Sequence, residues 1–420
     1  MRVGLLTQWY DPEPGPAALP GVLARGLAER GHDVQVVTGF PNYPTGEVAP
    51  GYQVSRRLDE ELDGVSVRRV ALYANHGSSA VRRLANYASF GASATVSGID
   101  ALRGVDALWV NYSPITVGWP MWAARYGLKV PSVVHVLDLW PDTMLAGGFA
   151  EGGRAFRAAE AGLNAWCNAI YRAASSVAYI SPGVGDVLER RGVSPEKLAY
   201  VPMWADENIF RPSTTDLRTE LGIPDDAIVL LYAGALGEAQ GLTTLIEACA
   251  KVDDPRFRCL IAGSGISESS LRERADELGA ANVRFLGRLP QVQMTALMAT
   301  GDFNYVGLRP HALSAITMPS KTQAGLAAGR ALLVAAEGDV ATAIRESGTG
   351  FTAGPGDAAA IAEAIRSACS LGRDGLRTMG TRAFSYYQDT FAVAHGVRCI
   401  ESLLEQAVAT RRNRRWVRTS

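Results

Sequence analysis

The chain has 420 residues, too long for one ordinary hydrophobic core and suited to two domains. Hydrophobic residues make up 47% and charged residues 20%, which excludes long disordered tracts, and a net charge of −1 provides no bulk attraction to nucleic acid or anionic lipid. The five cysteines (Cys167, Cys249, Cys259, Cys369, Cys399) are odd in number and form no C-x-x-C pair, so they read as reduced core residues rather than a disulfide framework or zinc knuckle.

The start, Met1-Arg2-Val3-Gly4-Leu5-Leu6, passes straight into a short strand without a signal-peptide pattern. No apolar run approaches the ~20 residues of a bilayer span, so a cytoplasmic protein is expected. Val3–Thr7 reads as a strand and Asp11–Pro16 as a Pro/Gly loop. Leu19, Val22, Leu23 and Leu27 then recur at helical spacing, with Gly31 as a C-cap. Further strands are expected at 34–37, 65–70, 107–110, 132–136 and 177–180, with helical stretches between most of them. The stretch Val81-Arg82-Arg83-Leu84-Ala85-Asn86-Tyr87 reads either as an amphipathic helix docked on the sheet or as one that touches a membrane surface.

From Pro202 to Pro212 the chain is irregular, as a linker would be. The strand and helix grammar then restarts, with strands expected at 228–232, 258–262, 283–286, 302–306 and 331–334. From Asp357 to about Ala407 the pattern is helical only, and the last helix is expected to pack back on the first domain. The tail carries Arg411, Arg412, Arg414, Arg415 and Arg418 with no acid among them. Strands alternating with helices give an α/β class, two doubly wound parallel sheets of Rossmann-like type with helices on both faces. The domains are expected at 1–205, joined by a helix at about 388–407, and at 206–387. Such sheets bind ligands at the carboxyl ends of their strands. If those ends face each other, one ligand can lie between the domains.

The residues that carry chemistry fall at those ends. The loop Gly234-Ala235-Leu236-Gly237-Glu238-Ala239-Gln240-Gly241 follows a strand and precedes a helix, which suits either close phosphate approach or a tight turn that needs glycine for sterics. Gly263-Ser264-Gly265 is a second such loop. No dinucleotide fingerprint and no Walker A sequence occurs. Arg309, and Lys321 at a helix start marked by Pro319 and Ser320, are placed to neutralise a diphosphate. In the first half, His135, Asp138 and Trp140 end one strand, and Glu13 and Gly15 sit in the first loop. An acid there suits a sugar hydroxyl or a structural loop contact. No D-x-D suggests a bridging metal, and none is expected.

The segments Thr38-Gly39-Phe40-Pro41-Asn42-Tyr43-Pro44, Asp138-Leu139-Trp140-Pro141, Tyr232-Ala233-Gly234, Phe285-Leu286-Gly287-Arg288 and Pro319-Ser320-Lys321-Thr322-Gln323 resemble the family-4 retaining glycosyltransferases. The closest likeness is to the bacterial surface-polysaccharide branch typified by N-acetyl-L-fucosamine transferases. The resemblance implies the GT-B fold of two facing Rossmann-like domains. It implies a nucleoside diphosphate sugar, usually a UDP-sugar, in the C-terminal domain near Gly234, Gly237, Gln240, Gly241, Gly263, Gly287, Arg288, Ser320 and Gln323. The acceptor, a saccharide, a lipid-linked sugar or a small molecule, is implied near Glu13, Gly15, Asn42 and Trp140. A lipid-linked acceptor would bring the protein to the inner face of the plasma membrane. The family's mechanism needs neither covalent nucleophile nor metal, and Arg309, Lys321, Asp138 and His135 become the residues expected at the chemistry. The chain departs from many members: Ala235 and Gln240 stand where an Arg and a Lys are common, and a Glu pair is replaced near Ile316 and at Ala324. Lys321 and Arg309 are inferred to neutralise the diphosphate instead, with Gln323 serving ribose or sugar. Alternatives are a UDP-sugar 2-epimerase, which needs an acid–base cluster not visible among five histidines, and an inactive UDP-sugar-binding homologue, to which the absent glutamates point.

Overall fold

The structure, a computed structural model, describes residues 1–14, 19–76, 79–142, 154–311 and 313–419, without the side chains of residues 80, 154–156 and 412–419. The chain divides into two compact units. Met1–Pro202 and Gly396–Ser420 form the first, and Met203–His395 the second.

In chain order the first unit contains β1 (Arg2–Leu6), α1 (Leu19–Glu29), β2 (Asp33–Gly39), β3 (Arg57–Leu62), β4 (Val65–Val70), α2 (Ala80–Ser93), β5 (Ala107–Asn111) and α3 (Gly118–Trp122). It continues through β6 (Ser132–Val136), α4 (Arg154–Ala173), β7 (Ser176–Tyr179), α5 (Pro182–Arg190) and β8 (Leu198–Tyr200). The sheet order is β3-β4-β2-β1-β5-β6-β7-β8. All neighbours pair in parallel except β3 with β4. Strands β5 and β6 are buried at every residue, as strands covered by helices on both faces must be.

The antiparallel edge strand β3 is an addition to the expected strands of this otherwise parallel sheet. Its sequence Arg-Leu-Asp-Glu-Glu-Leu is mostly exposed and shows no apolar run. It forms because Asp63 and Gly64 both take left-handed backbone and close a two-residue hairpin onto β4. Its charges also suit an edge that must not recruit another strand. The short strand β8, Leu-Ala-Tyr, is likewise a sheet edge that is not among the expected strands.

The second unit contains β9 (Ile228–Ala233), α6 (Leu242–Cys249), β10 (Phe257–Ala262), α7 (Glu268–Glu277), β11 (Val283–Gly287), α8 (Met294–Thr300), β12 (Phe303–Gly307) and α9 (Ser320–Ala327). It ends with β13 (Ala331–Ala335), α10 (Asp339–Ser347), β14 (Gly350–Ala353) and α11 (Ala358–Thr390). Its sheet order, β11-β10-β9-β12-β13-β14, is parallel throughout. Asp357 caps α11 by accepting from the amides of Ala359 and Ala360, and Gly372 breaks the helix with φ 69°. Strand β14, four residues at the sheet edge, is a further strand that the sequence pattern did not announce.

The last helix, α12 (Val393–Thr419), returns to the first unit. It buries Val397, Ile400, Leu404 and Ala407, one stripe at helical spacing. Gly26 on α1 makes the approach possible, since a Cβ there would lie 2.7 Å from Val397 Cγ2. Glu401 accepts from Arg30 Nε at 2.7 Å and lies 2.7 Å from His32 Nε2.

In both sheets the strand order reverses beside the first strand, between β1 and β5 and between β9 and β12. Loops leaving the carboxyl ends there frame the crevice in which such folds bind ligands.

Candidate functional site

At the second switch point, β9 and β12 pair only through Phe303 with Leu230 and Asn304 with Leu231. Past that point the strands no longer pair, and the loop after β9 fills the gap. Arg309 N donates to Ala239 O at 2.9 Å. Gly234, just past β9, has φ 150°, and Gly263, just past β10, has φ 141°. A Cβ on Gly263 would overlap the Gly234 carbonyl oxygen, so the two loops stack backbone on backbone. Gly263 N in turn donates to Gly287 O at 2.8 Å. These glycines thus have a steric reason that holds whether or not a phosphate approaches.

Lys321 is the second residue of α9. Its side chain lies against Gly234, where a Cβ would overlap Lys321 Cε. The ammonium sits 5.4 Å from the centre of the Tyr232 ring. The Tyr232 hydroxyl is itself tied to Ala235 O at 2.6 Å. Burial lowers the Lys321 amine below its ordinary value, and no carboxylate among the described residues pairs with it. A desolvated cation without a counter-ion, at a sheet's ligand edge, is costly unless an anion meets it.

Arg309 differs. It pairs with Glu238 at 2.6 Å, and both side chains are largely exposed. Such a bridge is weak, so an arriving diphosphate can displace the carboxylate. Gln240 and Gly241 close the same short turn, where Gly237 lies 3.1 Å from Gln240 Oε1 measured from its would-be Cβ. Ser320 and Arg288 are exposed at the starts of α9 and of the loop after β11. Gln323 is only 2% exposed, with its Oε1 unpartnered.

The first unit places its expected residues unevenly. Glu13 is 4% exposed and accepts from Tyr10 N at 3.0 Å, Asn42 N at 2.7 Å and Tyr43 N at 2.9 Å. Burial nonetheless raises its carboxyl to about 7 against the pull of those amides. Asn42 is 2% exposed and accepts from Asn86 Nδ2, which also donates to Tyr73 O. Both residues pin the loops after β1 and β2 from beneath and show almost no surface of their own. His135 is fully buried, bonds Val201 O at 3.1 Å and packs edge-on to Trp109. Burial lowers its imidazole to about 4. It is neutral near pH 7 and presents no surface to a substrate, contrary to the expectation of a group at the chemistry. Gly15 lies outside the described residues.

Asp138 is exposed and accepts from Ser113 Oγ at 2.7 Å. The protein around it raises its carboxyl above the usual range, an effect that its open surface limits. Trp140 is half-buried beside it. Around these two lies a set of rings that the sequence reading did not assemble. His76 packs on Tyr43, Tyr43 on Trp9, Trp9 on Tyr87 and Tyr87 on Trp140, with centroids 5.6, 6.5, 6.3 and 6.5 Å apart. Of these rings only Trp140 is expected at a site from the sequence; Tyr43 and Tyr87 appear there only within longer segments, and Trp9 and His76 not at all.

Among the described residues no group of three His, Cys, Asp or Glu side chains could hold a metal ion, and no helix is long and apolar enough to cross a membrane.

Two family models match in tandem. Residues 15–204 match the glycosyl transferase 4-like domain, and residues 213–383 match the glycosyl transferases of group 1. An Escherichia coli (strain K12) protein named as a colanic acid biosynthesis glycosyl transferase, WcaI, is 28% identical over 336 residues, covering 78% of this chain and 81% of its own. The fold is shared with sucrose-phosphate synthase from Thermosynechococcus elongatus, at TM-score 0.70 and 19% identity over 97% of this chain and 99% of that one. It is shared too with Anabaena Alr3699/HepE, solved in complex with UDP, at TM-score 0.69 and 16% identity over 97% and 100%.

Proposed function

The chain belongs to the glycosyl transferases of family 4, with the GT-B fold, and from that premise we propose that it moves a sugar, with retained anomeric configuration, from a UDP-sugar to a hydroxyl acceptor in polysaccharide assembly. The observation that carries the donor side is Lys321. It is a desolvated cation without a carboxylate partner among the described residues, stationed at the switch point of the second unit. The UDP in the Anabaena structure and the colanic acid named for the E. coli relative support the choice of donor and pathway class.

In this reading the second unit holds the donor and the first the acceptor. Lys321 neutralises the diphosphate, and Arg309 joins it once released from Glu238. The bond from the sugar's anomeric carbon to the diphosphate oxygen breaks. The acceptor oxygen bonds to that carbon on the same face, and its proton passes to the departing phosphate oxygen. Positioning and fixed charge supply the rate, so neither a metal nor a protein nucleophile is part of the proposal.

Lys321→Met is expected to lower donor turnover by roughly 10²–10³-fold, the scale of losing one fixed charge aimed at the leaving group. The same change removes an unpaired buried charge, so the second unit should melt no lower than the wild type, and higher if the desolvation cost is fully relieved. Turnover of UDP-sugars and a melting curve read both effects. Wild-type turnover in the variant would remove Lys321 from the mechanism.

A further inference from the structure

We propose that the aromatic shelf on the first unit binds a pyranose ring, so that the acceptor is a saccharide rather than a lipid chain or an aromatic aglycone. The proposal rests on the glycosyl-transfer reading for the word acceptor, but the binding chemistry stands on the shelf alone.

The shelf lies over the carboxyl edge of the first sheet. Trp9 follows β1, Tyr43 follows β2, His76 follows β4 and Trp140 follows β6, while Tyr87 comes from α2. The rings meet mostly edge to face, with interplanar angles of 66° to 88°. Aromatic walls of this kind suit the C–H face of a sugar ring. That observation alone fits any apolar ligand.

Polar atoms narrow the choice. The Nε1 atoms of Trp9 and Trp140 and the Nε2 of His76 are covered and have no hydrogen-bond partner among the described residues. A covered donor without a partner is costly, and an oxygen met by a small turn of the ring recovers that cost. Asp138, held by Ser113, adds an exposed carboxylate at the Trp140 end, and the Tyr87 phenol, raised mainly by burial, is raised a little further by this carboxylate. The carboxylate needs hydroxyl donors. A ligand must therefore offer an apolar face, oxygens for N–H groups and hydroxyls for a carboxylate. A pyranose offers all three. A lipid tail leaves the N–H groups unmet, a flat aglycone carries its few oxygens only at the rim of its plane and cannot serve several N–H groups and the carboxylate together, and a bare anion is repelled by Asp138.

The rings are also held in place from below. Glu13 grips the amide of Tyr43, and the Gln8–Asn86–Asn42 side chains bond α2 to the loop that carries Tyr43. These are positioning contacts, which explains why Glu13 and Asn42 are buried although they lie beside the shelf.

The test titrates the full-length protein by calorimetry and tryptophan fluorescence. The probes are glucose, fucose, N-acetylglucosamine, glucuronate and cellobiose, with 4-methylumbelliferone and phosphatidylcholine vesicles as competitors for the other readings. At least one sugar is expected to bind and to change the fluorescence. Trp140→Ala should weaken that binding by about tenfold, and Trp140→Phe, which keeps a ring without the N–H, by less. The Phe variant guards against a misfolded Ala variant, and melting curves of both check it. The proposal falls if none of the sugars binds the wild type. It also falls if only the aglycone or the vesicles bind, or if both folded Trp140 variants bind sugar as tightly as the wild type. UDP titration of the wild type is a separate arm. Sugar binding without UDP binding would overturn the donor reading and leave the shelf intact.

Discussion

Glu13 and His135 both lie beneath the carboxyl edge of the first unit, and burial moves their ionisations in opposite senses. The imidazole of His135 falls to about 4 in the folded chain, from an ordinary 6.5. Between those values the unfolded chain binds the proton and the folded chain does not, so the contribution of His135 to stability is full above 6.5 and is lost as the pH falls towards 4. The carboxyl of Glu13 rises to about 7 from 4.5. Its contribution is full below 4.5 and is lost as the pH rises through 7. The two slopes oppose each other over the same window, so the wild-type curve alone is uninformative. Comparison with His135→Gln and Glu13→Gln separates them. Relative to His135→Gln, the wild type should lose up to about 3 kcal/mol on going from pH 6.5 to 4. Relative to Glu13→Gln, it should lose stability on going from pH 4.5 to 7. Urea unfolding at several pH values measures both. Parallel curves for either pair would mean that the group titrates as it does in water.

At the scale of elements, the loops at the end of the second sheet are fixed by close backbone contact rather than by side chains. Gly263 stacks on Gly234, whereas Gly279, also in left-handed backbone at φ 60°, has no atom within 4 Å of its would-be Cβ. Gly279→Ala should therefore cost only the conformational term, about 1 kcal/mol. Gly263→Ala adds a collision with the Gly234 carbonyl and should cost roughly 2–5 kcal/mol. It should also weaken UDP binding by displacing the loop that faces Lys321. Urea midpoints and UDP titration of the two variants decide the matter, and equal costs would show that the close approach is not what requires glycine at 263.

The same contrast explains what could be read from the sequence. Strands β5, β6, β12 and β13 are covered on both faces, so each is mostly apolar, unbroken in β13 and interrupted only by His135 in β6 and by Asn304 in β12. Strands β3, β8 and β14 are edges: β3 is mostly charged, and β8 and β14 are only three and four residues long, too short to stand out. Lys321 and the glycine loops were legible because a local motif, a strand end followed by a helix start, specifies them. The seat of Lys321 on Tyr232, the Arg309–Glu238 pair and the five-ring shelf were not legible. They form between segments that are far apart in the chain and meet only through the sheet order. His135 shows the converse error. Its place at a strand end suggested function, but the ring is turned into the sheet and held by Val201.

For the molecule as a whole, the chain passes from the first unit to the second after Pro202 and returns after His395. The first unit therefore lacks part of its core until the last helix has been made. The missing piece is substantial: Val397, Ile400 and Leu404 are at most 2% exposed, and Glu401 ties down both Arg30 and His32. Leu404→Ala removes a fully buried side chain and should cost about 2–5 kcal/mol. The loss should fall on the unit that α12 completes, not on the unit nearest to it in sequence. Hydrogen exchange of the full-length variant reads this directly. Amides of β1 and β2 should exchange faster than in the wild type, while those of β9, β10 and β12 should keep their rates. Faster exchange confined to β9–β13 would instead mean that α12 serves the unit it follows. Uniform acceleration of both sheets would mean that the two units unfold as one cooperative body.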